Sequence, residues 1–586
     1  MPVPWRLRSA DPRRVRSLAE THALPAVLAQ VLCHRGLDES ALGPHLSRSA
    51  ALLHDPGSLP GMAAATERLV RAIKNGETIL VHGDYDVDGV TGTVLLMRAF
   101  ELVGAKAVWH IPNRLEDGYS FGPHSLERAR SVGASLVVSV DNGTSAFETI
   151  ADLAAAGIDT VVTDHHEPPA PHPRFGALPP AAAIVNPKLP GSTYPWRELC
   201  GGAVAFKLVW GLLRALGGES RVGPQEKVFL EEALAYVAIA TVCDVVPLLD
   251  ENRVMAHLGL KSLALAKHPG LVALVESCGL SGRIPSAEDV AFQVGPRINA
   301  SGRLGSAAQA VALLLSREPG EARRLAMELD TLNQERKRIE KEVLAAARAA
   351  ARPFADPGRH PVLVLAGQGW HQGVVGIVAA RLVEEFERPA IVIGLDGAEG
   401  RGSARSVPGF HVLEALSAAA PHLERFGGHA QAAGLEVRAE AIEAVRALVE
   451  ARAIELLERS PPQPPSLAID AELPLAELTP ALMHQLSRLE PFGAACEKPV
   501  FLSSDLRLAE PPRVIGQDGR HLALQVRRGA SVHRVLAFGQ AARLSELRLG
   551  EPLHLVHTPR YSTFRGETRL ELLAHDFACG PLPACS

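Results

Sequence analysis

The sequence predicts a mixed α/β protein of several domains: a mostly parallel sheet, a long connector helix, a second α/β unit and a small β-barrel or sandwich near the C-terminal end. Three observations carry that prediction. Short β-branched runs alternate with helical patterns over residues 78–185, which is the rhythm of βαβ units. A charged stretch over 319–351 has no Pro or Gly beyond its first two residues and keeps a helical apolar period. After a Pro-rich stretch, short alternating apolar segments recur.

At roughly 150 residues per domain, 586 residues suggest about four domains. With 47% apolar and 21% charged residues the chain has a globular composition, which excludes wholesale disorder. No apolar run reaches the roughly 20 residues of a membrane span. The best candidate, Ala233 to Cys243, is flanked by Glu231, Glu232 and Asp244 and reads as a buried core helix. The first residues carry no apolar h-region, so no secretory signal is expected. Seven scattered cysteines without a CxxC argue for a reducing cytoplasm and against a disulfide framework or a cysteine zinc site. The net charge of −5 does not by itself predict a nucleic-acid binder.

Taken in order, residues 1–70 are rich in Arg, Pro and Leu without clear strands and read as a helical N-terminal extension. Residues 71–318 form the first α/β domain, with strands expected at Thr78–His82, Lys106–His110, Ser135–Val140, Thr160–Thr163 and Ala182–Val185, and helices at Pro123–Ser131 and Phe147–Ala156. Residues 319–352 form the connector, where Leu325, Leu329, Leu332, Ile339 and Val343 make one apolar stripe with Arg336 inside it. At ~1.5 Å per residue, some 30 residues span on the order of 45 Å, which suits a link between two lobes. Residues 353–459 form a second α/β domain, with strands at Pro361–Leu365 and Pro389–Ile393 around a helix from Val374 to Phe386. Residues 460–586 begin with the linker Ser460–Ser466 and continue into a small β-domain with strands at Leu522–Val526, Arg534–Phe538 and Leu553–His557. From Phe501 to Ser586 there are eleven arginines, no lysine and eight acidic residues, so this part is locally basic.

The chemistry concentrates at strand ends. An apolar strand runs into His82-Gly-Asp84-Tyr-Asp86-Val-Asp88-Gly89, and three carboxylates at this spacing repel one another unless a hard divalent cation neutralises them. A calcium-loop reading fails because Leu95 stands where the bidentate acid belongs. Two further strands end in Asp141-Asn-Gly-Thr144 and Asp164-His-His-Glu167, and ligands of doubly wound sheets bind at the carboxyl ends of strands. Asp244 follows the apolar helix and is expected to point inward rather than cap it. The donor inventory is therefore Asp84, Asp86, Asp88, Asp141 and Asp244, with up to three imidazoles from His82, His165 and His166. Mixed Asp and His without Cys argue for a two-metal Mn²⁺ or Mg²⁺ hydrolase rather than structural zinc.

These motifs, HGDYDVDG, VDNGT, TDHHE and the ATVCDVVP around Asp244, resemble those of the DHH phosphoesterase superfamily. The segments Gly295–Arg303, Trp370–Gly376, Gly402–Ser406 and Gly427–Gly434, with Leu489–Gly493 and Gly516–Leu522, are similar to its branch of bacterial single-stranded-DNA-specific exonucleases. The resemblance covers residues 50 to 575. It implies a DHH catalytic domain, a DHH-associated domain and a C-terminal OB-like barrel. It also implies degradation of single-stranded DNA 5′ to 3′ to 5′-mononucleotides in recombination and repair.

By matched motif it makes Asp86, Asp88, Asp141, His165 and Asp244 metal ligands, His82 a superfamily ligand position and Asp84 a ligand or its neighbour. Asp86 and Asp141 are expected to be catalytic with His166, which contacts the scissile phosphate, moves a proton or orients His165. It further implies DNA contacts from Arg114, from a Gly-bounded loop carrying Arg297, Asn299 and Arg303, from Trp370 and His371, from Ser403 and Arg405, and from a Gly427–His429 phosphate loop with Gly428 and His429. Tyr561, Phe538 and Phe564 with Arg560 and Arg565 are expected on the barrel. The partners it implies are single-stranded DNA with a 5′ end, a helicase and a single-strand-binding protein. With no obvious dimerisation segment a monomer is expected, and the cysteine usage places it in the cytoplasm. Two departures stand out: Ala494–Pro499 replaces the usual turn after Leu489–Gly493, and Cys200–Phe206 differs slightly from the usual pattern. The competing readings are a small-substrate phosphatase, disfavoured by residues 467–586, a non-catalytic scaffold, disfavoured by the complete carboxylate set, and a plain single-strand binder, which needs no buried carboxylates.

Overall fold

The computed structural model describes residues 3–37, 39–113, 121–218, 222–459, 466–564 and 567–583. The chain opens with a short strand, β1 (Trp5–Leu7), and three helices, Pro12–His22, Ala26–His34 and Glu39–Leu46. The expectation of a strandless N-terminal extension is corrected by β1, which a three-residue run was too short to reveal.

The first sheet contains β2 (Ile79–His82), β3 (Ala107–His110), β4 (Leu136–Val140), β5 (Asp159–Thr163) and β6 (Ala183–Val185). It is fully parallel in the order β3-β2-β4-β5-β6. Helices cover both faces, which is why its strands read as nearly continuous apolar runs. Ile79, Val81 and Val138 join the large core with the helices Val87–Leu102, Gly201–Gly217 and Pro224–Cys243. Leu80, Val137 and Val162 face a smaller core with Ile150 and Leu153 of the helix Phe147–Ala155. The carboxyl ends of β2, β4 and β5 therefore open on one edge.

The connector is a single helix, Pro319–Ala351, of 33 residues. Ala322, Leu325, Ala326 and Leu329 belong to the first core, whereas Val343, Ala347 and Ala351 belong to a separate core in the second domain. Between them Arg336 pairs with Glu340 and donates to Asn333 Oδ1 at 2.8 Å. A helix gripped by a different core at each end is a strut, not a free coiled-coil arm.

The second domain holds β7 (Leu363–Gln368), β8 (Ala390–Asp396), β9 (Glu399–Arg405), β10 (Leu423–Gly428) and β11 (Ala432–Arg438), in the order β10-β11-β9-β8-β7. Only β7 and β8 pair in parallel. Two expected loops are regular elements instead. Gly295–Leu304 is a helix preceded by a π-helical turn at Val290–Val294, so Arg297, Asn299 and Arg303 lie on helical turns. Gly427 and Gly428 end strand β10, and of the three expected loop residues only His429 lies in the turn over 429–431 that leads to β11. Glycine content misread both, because glycine marks close approaches of backbone as well as turns: a Cβ on Gly302 would meet Tyr85 O and one on Gly428 would meet Ala432 O.

The C-terminal part comprises β12 (Leu467–Ile469), β13 (Ala471–Glu472), β14 (Phe501–Leu508), β15 (Arg513–Ile515), β16 (His521–Arg528), β17 (Ser531–Ala537), β18 (Leu553–Phe564) and β19 (Glu567–Cys579). Strands β14, β18, β19, β17 and β16 pair in that order, and β16 pairs back with β14, which closes a five-stranded barrel of OB type. The N-terminal segment docks on it: β1 pairs in parallel with β12, Trp5 Nε1 donates to Asp576 Oδ2 at 2.7 Å, and Leu18, Leu28 and Leu32 share a core with Phe501, Leu524 and Phe577. Arg253, from the helix Asp250–Ala264, is buried at the junction of this unit with the first domain. It donates to the carbonyls of His45, Arg488, Glu490 and Pro491 and to Cys496 Sγ. Among the described residues no single helix is long and apolar enough to cross a membrane.

Candidate metal centre and nucleic-acid cleft

The centre is built on the open edge of the first sheet. The chain leaves β2 through Asp84, whose Oδ1 accepts from Tyr85 N at 2.7 Å, and turns at Asp86, which caps the helix Val87–Leu102 by accepting from the N–H groups of Asp88 and Gly89. This loop is packed from outside by the helix Gly295–Leu304. Asn299 Oδ1 accepts from Val87 N at 3.2 Å, and a Cβ on Gly302 would come within 2.6 Å of Tyr85 O. Asn299, expected at DNA, thus holds the carboxylate loop in place.

Asp141 follows β4 with φ of 62°, a left-handed conformation that an Asp adopts only when its surroundings impose it. Its N–H donates to Thr163 O at 2.9 Å, which ties the ends of β4 and β5 together. Asp88 receives the N–H groups of Gly201 and Gly202, at 2.6 and 2.7 Å, from the N-terminus of the helix Gly201–Gly217. Only glycine fits at 201: a Cβ there would lie 2.6 Å from Asp141 Cβ and 2.8 Å from its Oδ1.

His165 is the hub. Its Nε2 lies 3.1 Å from Asp141 Oδ1 and 3.7 Å from both Asp88 Oδ2 and Asp244 Oδ2, so Asp244 does turn inward from its helix end. His166 Nδ1 lies 4.0 Å from Asp141 Oδ1 on the open side. Asp84 and Asp86 stand further out and act on Asp141 through charge.

The donor set tests well for divalent cations. Asp141 Oδ1 and Asp244 Oδ2 are buried without a hydrogen-bond partner, at the point where His165 Nε2 and the Asp88 carboxylate also converge. Burial and then repulsion from the neighbouring carboxylates push Asp84 up to about 7 and Asp244 up to about 9, and raise Asp141 well above the usual carboxylate range. Burial also raises Asp88. Carboxylates held this close would protonate if left alone, and hard cations relieve the strain.

Asp164, absent from the expected site, organises the far side. Its carboxylate accepts from the N–H groups of Thr144, His165 and His166 and lies 2.7 Å from His166 Nδ1. Burial opposes ionisation of both, yet the pairing prevails: His166 is raised to about 9 and Asp164 is held well below its ordinary range. Asn186 completes the frame by donating to Thr144 Oγ1 and His166 O. Asp164 was readable as the aspartate of TDHHE, directly before the two histidines. The Gly201–Gly202 cradle was readable only as a helix-starting glycine pair.

His82 does not join the carboxylates. It is fully buried on the opposite side of its strand, with Ser125 Oγ 3.0 Å from Nε2 and ring centroids of His110, His124 and Phe121 at 5.2, 5.6 and 4.8 Å. The reason is strand alternation: His82 faces the Leu80 side of β2, whereas the metal-facing groups come from the loop beyond it. Burial, then the two neighbouring imidazoles, hold it well below the ordinary imidazole range.

In the second domain Ser403, Arg405, Arg401, Arg425, Gly427 and Gly428 line a cleft of about 450 Å³. Arg405 Nη1 donates to Ser403 Oγ and Ala404 O, both at 2.8 Å, which aims the guanidinium along β9. A Cβ on Gly376, in the first turn of the helix Val375–Phe386, would lie 3.0 Å from Ser403 Oγ, so that helix start borders the same cleft. Arg303 bridges the lobes by donating to Gly373 O at 3.2 Å. Arg297 is used inside the protein, paired with Asp330 of the connector at 2.8 Å and donating to the carbonyls of Ser277 and Gln293. Trp370 packs under Gly367 and Gly394 at the edge of the second-domain core, and His371 Nδ1 accepts from Gly373 N at 3.0 Å. His429 is exposed, and Tyr561 and Phe538 are half exposed on the barrel. Arg114, Arg565 and the side chain of Phe564 lie outside the described residues.

Comparison with known proteins gives three family matches in chain order: the DHH family, N-terminal domain, over residues 78–241, the DHHA1 domain over 359–455, and the RecJ OB domain over 469–576. The single-stranded-DNA-specific exonuclease RecJ of Escherichia coli is 35% identical over 581 residues, covering 96% of this chain and 98% of the relative. The protein of the same name from Bacillus subtilis is 34% identical over 578 residues, covering 98% of this chain and 70% of the relative. Among solved structures, RecJ in complex with Mn²⁺ from Thermus thermophilus superposes with a TM-score of 0.81 at 32% identity, over 100% of this chain and 80% of that one. The same protein has also been solved in complex with Mg²⁺, with a TM-score of 0.76 at 31% identity.

Proposed function

This chain belongs to the RecJ family, and from that premise we propose that it is a metal-dependent exonuclease that degrades single-stranded DNA 5′ to 3′, releases 5′-mononucleotides and serves recombination and repair. The observation that carries the proposal is the convergence of Asp88, Asp141, His165 and Asp244 on one buried point, with carboxylate oxygens left unpaired there. The five aspartates and His165 would hold two Mn²⁺ or Mg²⁺ ions. Such ions supply Lewis-acid stabilisation of the phosphoryl oxygens and a nucleophilic water at neutral pH.

The chain's own residues do the rest. His166, kept protonated by Asp164, donates to a non-bridging oxygen of the scissile phosphate as negative charge builds there. Asp164 and Asn186 fix the segment that carries both histidines. Arg405, Ser403 and the backbone at Gly428 take the terminal 5′ phosphate, and Arg303 and His429 flank the strand between the lobes. Tyr561 and Phe538 offer stacking surfaces on a locally basic barrel. A cleft that admits one strand leaves duplex ends to a helicase, and a single-strand-binding protein would keep its product open; both are proposed partners of a monomeric enzyme.

The test is release of mononucleotides from strands labelled at the 5′ or the 3′ end, with and without Mn²⁺. Early release of only the 5′ label, dependent on Mn²⁺ and absent in Asp141→Ala with DNA binding retained, supports the proposal. Early release of the 3′ label, or normal turnover in Asp141→Ala at saturating Mn²⁺, refutes it.

A further inference from the structure

We propose that His82, His110 and His124 form a second metal site, distinct from the carboxylate centre and selective for Zn²⁺. The three residues come from three elements: His82 ends β2, His110 ends β3 beside it in register, and His124 starts the helix His124–Ser131. One donor nitrogen from each lies within 4.8 Å of the other two. Bound zinc, at ~2.0–2.1 Å from each nitrogen, would draw them to about 3.4 Å apart, a small side-chain adjustment.

Two further observations point to a ligand. His82 Nδ1 is buried and has no hydrogen-bond partner, while Nε2 is held by Ser125 Oγ at 3.0 Å. That division of labour is the one found in metal-bound imidazoles, where a partner on one nitrogen orients the other towards the ion. The donor set is also chemically separate from the carboxylate centre. Three imidazoles and no carboxylate suit Zn²⁺, whereas Mg²⁺ and Mn²⁺ prefer oxygen. His110 and His124 are half-buried, so the three imidazoles are not sealed inside the core. Zinc here would pin the ends of β2 and β3 to the following helix. Because β2 runs directly from His82 into Asp84, it would anchor the root of the carboxylate loop without belonging to it.

The protein is stripped with chelator, returned to excess Mn²⁺ and titrated with Zn²⁺, and retained zinc is measured by elemental analysis. Wild type and Asp141→Ala are expected to retain one equivalent, and His110→Phe and His124→Phe to bind it more than roughly tenfold more weakly. Co²⁺ in place of Zn²⁺ should give the intense visible bands of a low-coordinate nitrogen site in wild type and lose them in the histidine variants. Failure of wild type to retain zinc overturns the proposal. So does equal retention by wild type and both histidine variants, or loss in Asp141→Ala with retention in the histidine variants. Should the Phe variants fail to fold, His124→Asn and the wild-type Co²⁺ spectrum decide: a spectrum without those bands, or one unchanged by His124→Asn, overturns the site.

Discussion

Asp164 Oδ1 and His166 Nδ1 lie 2.7 Å apart, and the same oxygen accepts the backbone N–H groups of His165 and His166. One buried carboxylate thereby sets the charge of one histidine and the position of both. Replacing Asp164 with Asn keeps the shape but removes the charge and reverses the polarity of one arm. Asp164→Asn is expected to lose 10–100-fold in Mn²⁺ affinity or turnover, the usual scale for a group that orients metal ligands. Half-saturating Mn²⁺ and kcat measured together check it, and wild-type values for both would reduce Asp164 to a packing residue.

Gly201→Ala tests the cradle beneath Asp88 and Asp141. The added methyl group would meet Asp141 at 2.6–2.8 Å, a distance real side chains do not tolerate. Either the helix start or Asp141 must move, and Asp88 then loses one or both N–H donors. Turnover should fall at least about 100-fold at saturating Mn²⁺, since ~1 Å of misplacement costs that much. Melting temperature should also fall, because overpacking a buried site costs about 1–3 kcal/mol, which the better helix propensity of alanine only partly offsets. Retained turnover would show that the centre can slide.

Arg405→Ala tests recognition of the strand end. Charge-assisted hydrogen bonds are worth on the order of 1.5–3 kcal/mol. A preference of roughly ten- to hundredfold for 5′-phosphorylated over 5′-hydroxyl strands should therefore collapse. Arg405→Lys should restore only part of it, because a point charge cannot reproduce the guanidinium fork. Equal losses in kcat/KM on both end chemistries would make Arg405 a general backbone contact.

Leu332→Pro tests the strut. Proline in a helix interior costs ~3 kcal/mol or more, and Leu332 packs against the first core just ahead of the part of the connector that joins the second. Reduced melting temperature and impaired cleavage of long strands are expected, and unchanged values for both would mean that lobe alignment does not depend on the helix.

Arg253→Ala tests the junction with the barrel. It strips donors from four carbonyls, and each buried acceptor left unmet costs about 1–3 kcal/mol. Limited proteolysis should cut at the junction sooner in the variant, and an unchanged digestion pattern would assign the junction's stability to apolar packing alone.

Much of this was legible in the amino-acid order because the relevant signals are local. Five strands of the first sheet, the connector and the carboxylates at strand ends follow from runs of β-branched residues, an apolar period and the positions of Asp. What stayed hidden depends on which face a residue takes once strands are placed. His82 precedes the acidic loop by two residues yet faces the other side of the sheet with His110 and His124, partners 28 and 42 residues away. The role of Asn299 depends on Val87, 212 residues distant, so its segment read as a DNA loop until the helix was seen to pack against Tyr85 and Val87. The ion pair of Arg297 with Asp330 was hidden in the same way, because its partner lies on the connector.

The parallel pairing of Trp5–Leu7 with Leu467–Ile469 has a consequence for biosynthesis. A chain made from its N-terminus presents Leu18, Leu28 and Leu32 several hundred residues before Phe501, Leu524 and Phe577 exist to cover them. The first and second α/β domains have their own cores and can condense while the ribosome is still working. The opening helices cannot. Their apolar faces stay partly uncovered until the barrel strands from Phe501 onward have been made, so the start of the chain settles after domains that follow it in sequence.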